Sequence, residues 1–307
     1  MCGRTACNLK RETYCKATSY KDRKDTLYRQ SEWHDLENGG HEFKQSNNIA
    51  PTDVTPILVA GEEFVGYPSR VLTPMVWGMI PPWHKGNFND HGLSTNNCRI
   101  ENLMASKLYS EPLNAGRRCI VICEGFYEWK TTEGPGKKKP YFIYTPQKNE
   151  ISVYNKNDWE SSQWSEKSGW CGPSLLKLAG IYNKWKSPNG DIYYNYSVVT
   201  MESNKKFSQI HHRMPAVLEN EQIIEDWLDS RRVSASRAIA MLHPVENLSW
   251  HEVTNSVNNS RNKIDDCNKP ASKIVNKSST FMASWLAGKN KNNDSNEENQ
   301  MRKKAKY

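Results

Sequence analysis

The sequence predicts an α+β fold with a largely antiparallel sheet. Many short segments are rich in β-branched and aromatic residues, and clusters of glycine, proline and asparagine separate them, as expected for strands joined by turns. A few other segments carry the 3.6-residue apolar spacing of helices. The two kinds of segment do not alternate regularly, as they would in a parallel βαβ sheet.

Composition and spacing assign the individual elements. The predicted strands are residues 71–80 (VLTPMVWGMI), 119–129 (CIVICEGFYEW), 141–144, 177–185 and 196–200. The predicted helices are residues 99–109 (RIENLMASKLY), 219–230 (ENEQIIEDWLDS) and 234–242 (SASRAIAML). Two polar stretches read as surface insertions: the basic loop 131–139 (TTEGPGKKK) and residues 155–172, which are polar apart from three tryptophans.

The chain divides into one domain and a tail. Residues 1–265 have the composition of a single folded domain, whereas residues 266–307 are rich in Asn, Lys and Ser and are predicted to be disordered. Within the tail, residues 278–287 (SSTFMASWLA) place Phe281, Met282, Trp285 and Leu286 on one face of a potential helix. That spacing is typical of a short docking motif, although a chance apolar cluster would look the same.

The positive charge is concentrated in the tail. The 307 residues carry a formal net charge of +8, but residues 268–307 hold nine basic and three acidic side chains, leaving 33 basic and 31 acidic residues elsewhere. A nearly balanced domain does not attract nucleic acid through bulk charge, so binding would need a local groove of arginines and aromatic rings.

Neither a membrane span nor a secretory signal is predicted, because no apolar run approaches the ~20 residues a span needs and the N-terminus is polar from Arg4 onwards. We therefore expect an intracellular, monomeric protein with reduced cysteines. The eight cysteines contain no C-x-x-C pair, so no metal site and no cofactor are predicted. The basic residues 302–306 favour a nuclear location, with or without a cytoplasmic pool.

The first residues, MCGRTACNLK, raise the question of what Cys2 does. Removal of Met1 would leave Cys2 with a thiol of pKa ~8.5 and an α-amine of pKa ~7.7–8 on adjacent carbons. No internal cysteine offers this pair of nucleophiles. The alternative is that Cys2 is an ordinary N-terminal residue.

Two further segments contain candidate acid–base groups. Glu128 lies between Tyr127 and Trp129, where reduced hydration would raise the pKa of its carboxyl group; the alternative is a rim glutamate paired with a lysine. His211 and His212 precede Arg213-Met214-Pro215, and the proline favours a loop. At most one of the two histidines is expected to be chemical, because neighbours in an extended chain point to opposite sides. The alternative is a packing or capping histidine.

Arginine and tryptophan residues accompany these segments. The WGMIPPW sequence at residues 77–83 predicts a rigid aromatic ledge, and arginines beside flat rings suit single-stranded nucleic acid. Core tryptophans and surface arginines are the alternative explanation. The arginines in or beside the chemical segments are Arg4, Arg99, Arg117, Arg118 and Arg213.

Seven motifs in order resemble the SOS-response-associated peptidase (SRAP) family, over Cys2 to about Arg261. They are MCGR at the start, NIAPT at 48–52, WGMIPPW at 77–83, NCR at 97–99, GFYEW at 125–129, LAGIY at 178–182 and IHHRMP at 210–215. Two positions depart from the family pattern. Asn47 replaces an aromatic residue, and Glu124 stands where an aspartate is frequent, which keeps the charge.

The resemblance implies a single domain built on a barrel-like, mainly antiparallel sheet with flanking helices, and a mature N-terminus in a positively charged cleft. It also implies an enzyme of the DNA damage response that captures abasic sites in single-stranded DNA covalently, with peptidase or lyase chemistry. Cys2 would be the nucleophile, with Asn97, Glu128 and His211 around it. Arg4, Arg99 and Arg213 would hold phosphates, and Trp77 would lie on the ledge that splays the strand.

The chemistry expected of Cys2 is attack of its α-amine on the ring-opened sugar aldehyde, followed by closure of the thiol to a thiazolidine. Two other functions stay open at this point. One is a cysteine peptidase, including self-processing, that uses Cys2, His211 and Glu128. The other is a single-stranded DNA binder without covalent chemistry. The tail segment from Phe281 to Leu286 is expected to dock on a replication-fork protein.

Overall fold

A computed structural model of the chain describes residues 3–22, 25–66, 69–131, 138–148 and 150–274. One compact unit extends to Asn268, and a second begins at Lys269, whose described part contains the 3-10 turn Ala271–Lys273. The first unit ends three residues beyond the predicted boundary at 265. The reason is the 3-10 turn Asp265–Asn268, which buries Cys267 and Asn268. The docking segment 278–287 lies outside the described residues.

Fifteen strands and six α-helices are found among these residues. The strands are β1 Thr5–Cys7, β2 Glu32–Trp33, β3 Ser46–Ile49, β4 Val54–Ala60, β5 Arg70–Trp77, β6 Asn97–Arg99, β7 Arg118–Cys123, β8 Gly125–Thr131, β9 Lys138–Tyr144, β10 Gln163–Ser165, β11 Gly169–Cys171, β12 Leu176–Lys186, β13 Ile192–Glu202, β14 Arg213–Pro215 and β15 Ser249–Glu252. The helices are α1 Arg11–Ala17, α2 Glu62–Val65, α3 Ser110–Asn114, α4 Lys156–Glu160, α5 Glu221–Leu228 and α6 Ala235–Ala240.

Five strands close into a barrel, which confirms the predicted α+β class with a barrel-like sheet. The order is β13-β12-β7-β4-β5, and β5 returns to β13 by a parallel pairing of Val76 with Asn195 and Trp77 with Tyr196. The other four junctions are antiparallel. These strands are almost continuously buried because they read as apolar runs rather than as alternating patterns.

A second sheet, entirely antiparallel, has the order β15-β9-β8-β1-β3. The predicted strand 119–129 is therefore wrong as a single element, because β7 belongs to the barrel and β8 to this second sheet. The chain changes sheet at Glu124, whose N–H donates to the carbonyl of Ala6. A Cβ at Gly125 would lie 2.5 Å from the carbonyl oxygen of Ile143, so only glycine permits this close approach.

The predicted helix 99–109 is also wrong. Residues 97–99 form β6, which pairs in parallel with β13, and a 3-10 turn follows at Ile100–Asn102. The first α-helical residue after it is Ser110. Pairing with β13 buries Cys98 and gives the backbone hydrogen-bonding partners, and this tertiary interaction overrides the local helical spacing.

The other two helix predictions are confirmed to within two residues at each end. Side-chain oxygens of Asn220 and Ser234 cap the N-termini of α5 and α6. The predicted excursion 155–172 contains α4 and the separate hairpin β10–β11. Of the predicted basic loop 131–139, residues 132–137 lie outside the described residues.

No α-helix within the described ranges is long and apolar enough to cross a membrane.

Candidate active site

The N-terminal strand β1 runs alongside β8, which carries Glu128. The register pairs Thr5 with Phe126, and the N–H of Tyr127 donates to the carbonyl of Arg4 at 2.9 Å. Continued by two residues, this antiparallel register brings Gly3 level with Glu128. Cys2 lies outside the described residues but is bonded directly to Gly3.

Glu128 is a buried carboxyl group on this strand. Only 3% of the residue is exposed, so it is not the rim glutamate of the alternative interpretation. Burial raises the pKa of Glu128, and the nearby charge of His212 partly opposes that shift. A buried carboxyl group with a raised pKa can serve as a proton donor and acceptor in an active site.

His211 follows the 3-10 turn Phe207–Gln209 and is half-buried. The backbone N–H of His211 donates to the carbonyl of Phe207 at 3.2 Å. The imidazole ring of His211 lies 4.4 Å from the ring of exposed His212. Nδ1 of His211 is 3.0 Å from both the N–H and the carbonyl oxygen of Arg213. Burial lowers the pKa of His211, so the imidazole is neutral at pH 7.

Aromatic packing joins the Glu128 and His211 segments. Phe126 shares a face of β8 with Glu128, because side chains two residues apart point to the same side of a strand. The ring of Phe126 lies 6.1 Å from that of Phe207, the residue that accepts the hydrogen bond from His211. This contact sets the histidine loop against the glutamate face of the second sheet.

Asn97 and Arg99 lie on one side of β6, opposite buried Cys98. Asn97 is half-buried and Arg99 is exposed. The pKa of His212 is lowered by the charge of His211 and, to a smaller extent, by Arg213 and Arg99, so Arg99 lies near the histidine loop. The structure thus brings Arg99, Glu128 and the histidines into one region, and Asn97 lies two residues before Arg99 on β6.

Arg213 forms a two-pronged ion pair with Glu101, at 2.6 and 3.0 Å. Its guanidinium also donates to the carbonyl of Thr200 at 2.9 Å, and the residue is 7% exposed. The pKa of Glu101 is lowered by this hydrogen bond. The phosphate contact expected of Arg213 stays a prediction, and it would require exchange of Glu101 for phosphate.

Arg4 lies on the face of the sheet opposite Glu128, and the phosphate contact expected of it stays a prediction. Arg4 shares that face with Tyr127, and its guanidinium donates to Asn48 Oδ1 at 2.7 Å and to the carbonyl of Val257 at 2.6 Å. The guanidinium also lies 5.8 Å from the ring centre of Trp129. Burial lowers the pKa of Arg4.

Val257 belongs to residues 255–268, called here the C-terminal strap. Side chains of the second sheet hold the strap by its main chain and polar groups. The hydrogen bonds run from Asn48 to the carbonyls of Asn259 and Asn262, from Asn47 to that of Asp265, and from Trp129 to Asn258 Oδ1. Asn47, the departure from the family pattern, therefore has a structural role here.

The prediction that Trp77 lies on an exposed ledge is wrong, because this residue is fully buried. Its indole N–H donates to the carbonyl of Asn96 at 2.9 Å, and its ring stacks parallel to that of Tyr196. Trp83, at the other end of the same motif, is 55% exposed. The motif alone could not distinguish the core tryptophan from the surface one.

The sequence predicts no role for Glu124 other than conservation of a negative charge. It is 2% exposed and accepts hydrogen bonds of 2.6 Å from the Tyr14 hydroxyl group and from the N–H of Asn8. Burial raises the pKa of Glu124 to about 8. This carboxyl group ties α1 and the end of β1 to the point where the chain changes sheet.

Within the described part of the chain, no group of three or more His, Cys, Asp or Glu side chains could hold a metal ion.

The fold and the site define a class of protein. Its members combine a closed barrel with a separate antiparallel sheet, and that sheet carries the N-terminal strand beside a buried glutamate and a neutral histidine. A family model described as SOS response associated peptidase (SRAP) matches residues 1–260. The chain therefore belongs to the SRAP family.

Two named relatives agree with this membership, and one solved structure shares the fold. The chain is 37% identical over 300 residues to the mouse abasic site processing protein HMCES, covering 94% of this chain and 83% of the relative. It is 27% identical over 224 residues to the abasic site processing protein YoqW of Bacillus subtilis, covering 72% and 84%. A protein from Bacteroides thetaiotaomicron shares the fold with a TM-score of 0.57 at 22% identity, covering 75% of this chain and 87% of that one.

Proposed function

We propose that this protein recognises abasic sites in single-stranded DNA and crosslinks to them through Cys2, which shields the lesion during the DNA damage response. The observation that carries the proposal is the position of buried Glu128 level with Gly3, one residue from the N-terminal cysteine. The names of the mouse and Bacillus relatives, abasic site processing proteins, support the choice of substrate.

The proposed reaction has two bond-forming steps. After removal of Met1, the neutral α-amine of Cys2 attacks the aldehyde carbon of the ring-opened sugar, and loss of water gives a Schiff base. The thiol of the same residue then adds to the imine carbon, and its proton passes to the nitrogen, which closes a five-membered thiazolidine. Because both nucleophiles belong to one residue, ring closure gains an effective molarity of ~10⁵ M or more in a good geometry.

Three side chains have roles in this scheme. Glu128, whose pKa is raised by burial, would move protons to and from the amine and the sugar hydroxyl group. Neutral His211 would donate a hydrogen bond to the ring oxygen as the sugar opens. Asn97 would hold the terminal amine through a neutral hydrogen bond, which does not raise the pKa of the amine as a carboxylate would.

Exposed Arg99 would supply a phosphate contact, and Arg213 would join it if phosphate displaced Glu101. Such contacts hold a strand without reading its bases. We further propose a monomer located in the nucleus, supported by the basic residues 302–306, and a replication-fork partner for residues 278–287.

The experiment is a crosslinking assay with a single-stranded oligonucleotide that contains one abasic site. Wild-type protein should form a heat-stable adduct, Cys2→Ala should form none, and Cys2→Ser should give at most an imine trapped by borohydride. Cys171→Ala, which removes an exposed thiol on β11, is the matched control and should crosslink normally. Full crosslinking by Cys2→Ala, or an intact Met1 in the active protein, would exclude the mechanism.

A cysteine peptidase is the second candidate, favoured by the family description and by the presence of His211 and Glu128 near the N-terminal strand. Intact-mass spectrometry separates the two functions. Incubation with the abasic oligonucleotide should add one DNA mass to the protein, whereas a peptidase would cleave members of a peptide library. Reversible binding with neither change would indicate a non-covalent single-stranded DNA binder.

A further inference from the structure

The face of the second sheet that carries Glu128 also carries residues without a role so far. The register pairs Glu128 with Tyr141 and Lys130 with Lys139 between β8 and β9. Between β9 and β15 it pairs Ile143 with Trp250. Directly paired residues of antiparallel strands project from the same face, with Cβ atoms about 4.5–5.5 Å apart. Tyr141 is therefore the immediate cross-strand neighbour of Glu128.

Trp250 connects this face to the histidine loop. Its ring meets that of Phe207 edge-on at 6.1 Å, and the carbonyl of Phe207 accepts the hydrogen bond from His211. The ammonium group of exposed Lys206 lies 5.5 Å from the centre of the Trp250 ring. Tyr141 and Trp250 are both half-buried, so part of each ring remains available.

The charge around these rings is mainly positive. Lys139 and Lys206 are exposed, and Lys130 is paired with Lys139 on the same face. Besides Glu128, the described residues of this face include a second carboxyl group: Glu252, paired with Tyr141 in the register, accepts from Lys139 at 3.0 Å.

We propose that one patch of this sheet binds the nucleotide that adjoins the abasic site on one side. This patch, the stacking face, consists of Tyr141, Lys139, Trp250 and Lys206. The base stacks on Tyr141 beside Glu128, and the ammonium groups of Lys139 and Lys206 contact the backbone phosphates. Flat rings interleaved with cations are the combination that single-stranded nucleic acid requires. This inference rests on the proposed function, because it assumes that the abasic sugar lies at Glu128.

The test uses oligonucleotides with a tetrahydrofuran abasic analogue at either the 5′ or the 3′ end. The analogue has no aldehyde, so fluorescence anisotropy measures binding without crosslinking. Tyr141→Leu should weaken binding about 10-fold for only one of the two series, and Tyr141→Phe should restore it, since loss of one base–aromatic stack has this magnitude. Equal effects on both series, or none, would overturn the proposal.

A second arm tests the phosphate contact. Lys206→Gln should reduce the slope of log affinity against log salt by about 0.7, the value for one phosphate on a single strand. Lys156→Gln, an exposed lysine on α4, is the control and should leave the slope unchanged. An unchanged slope with Lys206→Gln would contradict the contact. A different result tests the proposed function itself: it is wrong if the wild-type protein forms no adduct with an aldehydic abasic site.

Discussion

The guanidinium group of Arg4 donates a 2.6 Å hydrogen bond to the main-chain carbonyl of Val257, 253 residues further along the chain. This bond joins the first strand of the second sheet to the C-terminal strap. It also takes Arg4 to the face of the sheet opposite Glu128, away from any substrate bound there. The strap therefore fixes the strand from which the N-terminal cysteine extends.

The first prediction separates the structural arginine from the DNA-binding one. Arg4→Gln should lower the free energy of unfolding by about 1–3 kcal/mol, because it leaves buried acceptors on Asn48 and Val257 without their donor. Arg99→Gln should leave stability unchanged and weaken binding equally to damaged and undamaged single strands, because Arg99 is exposed. Urea denaturation and salt-dependent anisotropy measure the two effects. A lower salt slope with Arg4→Gln would assign Arg4 to the DNA after all.

The second prediction concerns where the folded domain ends. A chain that stops after Asn268 should retain the thermal stability of the full protein, because the strap is complete. A chain that stops after Thr254 should be strongly destabilised, because Arg4, Asn47, Asn48 and Trp129 all lose partners in the strap. Calorimetry compares the two truncations. Equal melting temperatures would show that the strap contributes nothing.

Much of the fold could be predicted because the longer strands are rich in β-branched and aromatic residues, as in β5, β12 and β13. Residues 119–129 are also rich in apolar and aromatic residues on both sides of Glu124, so composition could not reveal the change of sheet there. That change depends on the close approach of Gly125 to Ile143, a tertiary contact. The helical spacing of residues 99–109 is misleading for the same reason, since the pairing of β6 with β13 determines the structure at the start of this segment.

The site could be predicted only in part. The buried state of Glu128 follows from its aromatic neighbours, and the structure confirms it. The direction in which Arg4 points depends on the register of β1 with β8, and the burial of Trp77 depends on the closure of β5 against β13. Neither pairing leaves a local signal in the sequence. The cross-strand position of Tyr141 beside Glu128 is hidden in the same way.

The third prediction addresses acid–base catalysis. Glu128→Gln keeps the shape of the side chain but cannot transfer a proton, so the crosslinking rate on an abasic oligonucleotide should fall about 10²–10⁴-fold. Affinity for the tetrahydrofuran analogue should change little. Quenched-flow sampling followed by denaturing gels measures the rate. Glu246→Gln, an exposed glutamate, is the control, and an unchanged rate with Glu128→Gln would remove the carboxyl group from the mechanism.

The fourth prediction follows from Glu124, whose pKa burial raises from 4.5 to about 8 in the folded protein. Between these two values the folded state binds more protons than the unfolded state. The contribution of Glu124 to the free energy of unfolding is therefore complete below pH 4.5 and is lost as pH rises through about 8. The slope from this group is at most about 1.4 kcal/mol per pH unit. Glu124→Gln removes the titration while it retains an acceptor for Asn8 or Tyr14, so its stability should depend less steeply on pH. Urea denaturation followed by tryptophan fluorescence at several pH values across this window tests it, and parallel curves for wild type and variant would show that the carboxyl group is ionised throughout.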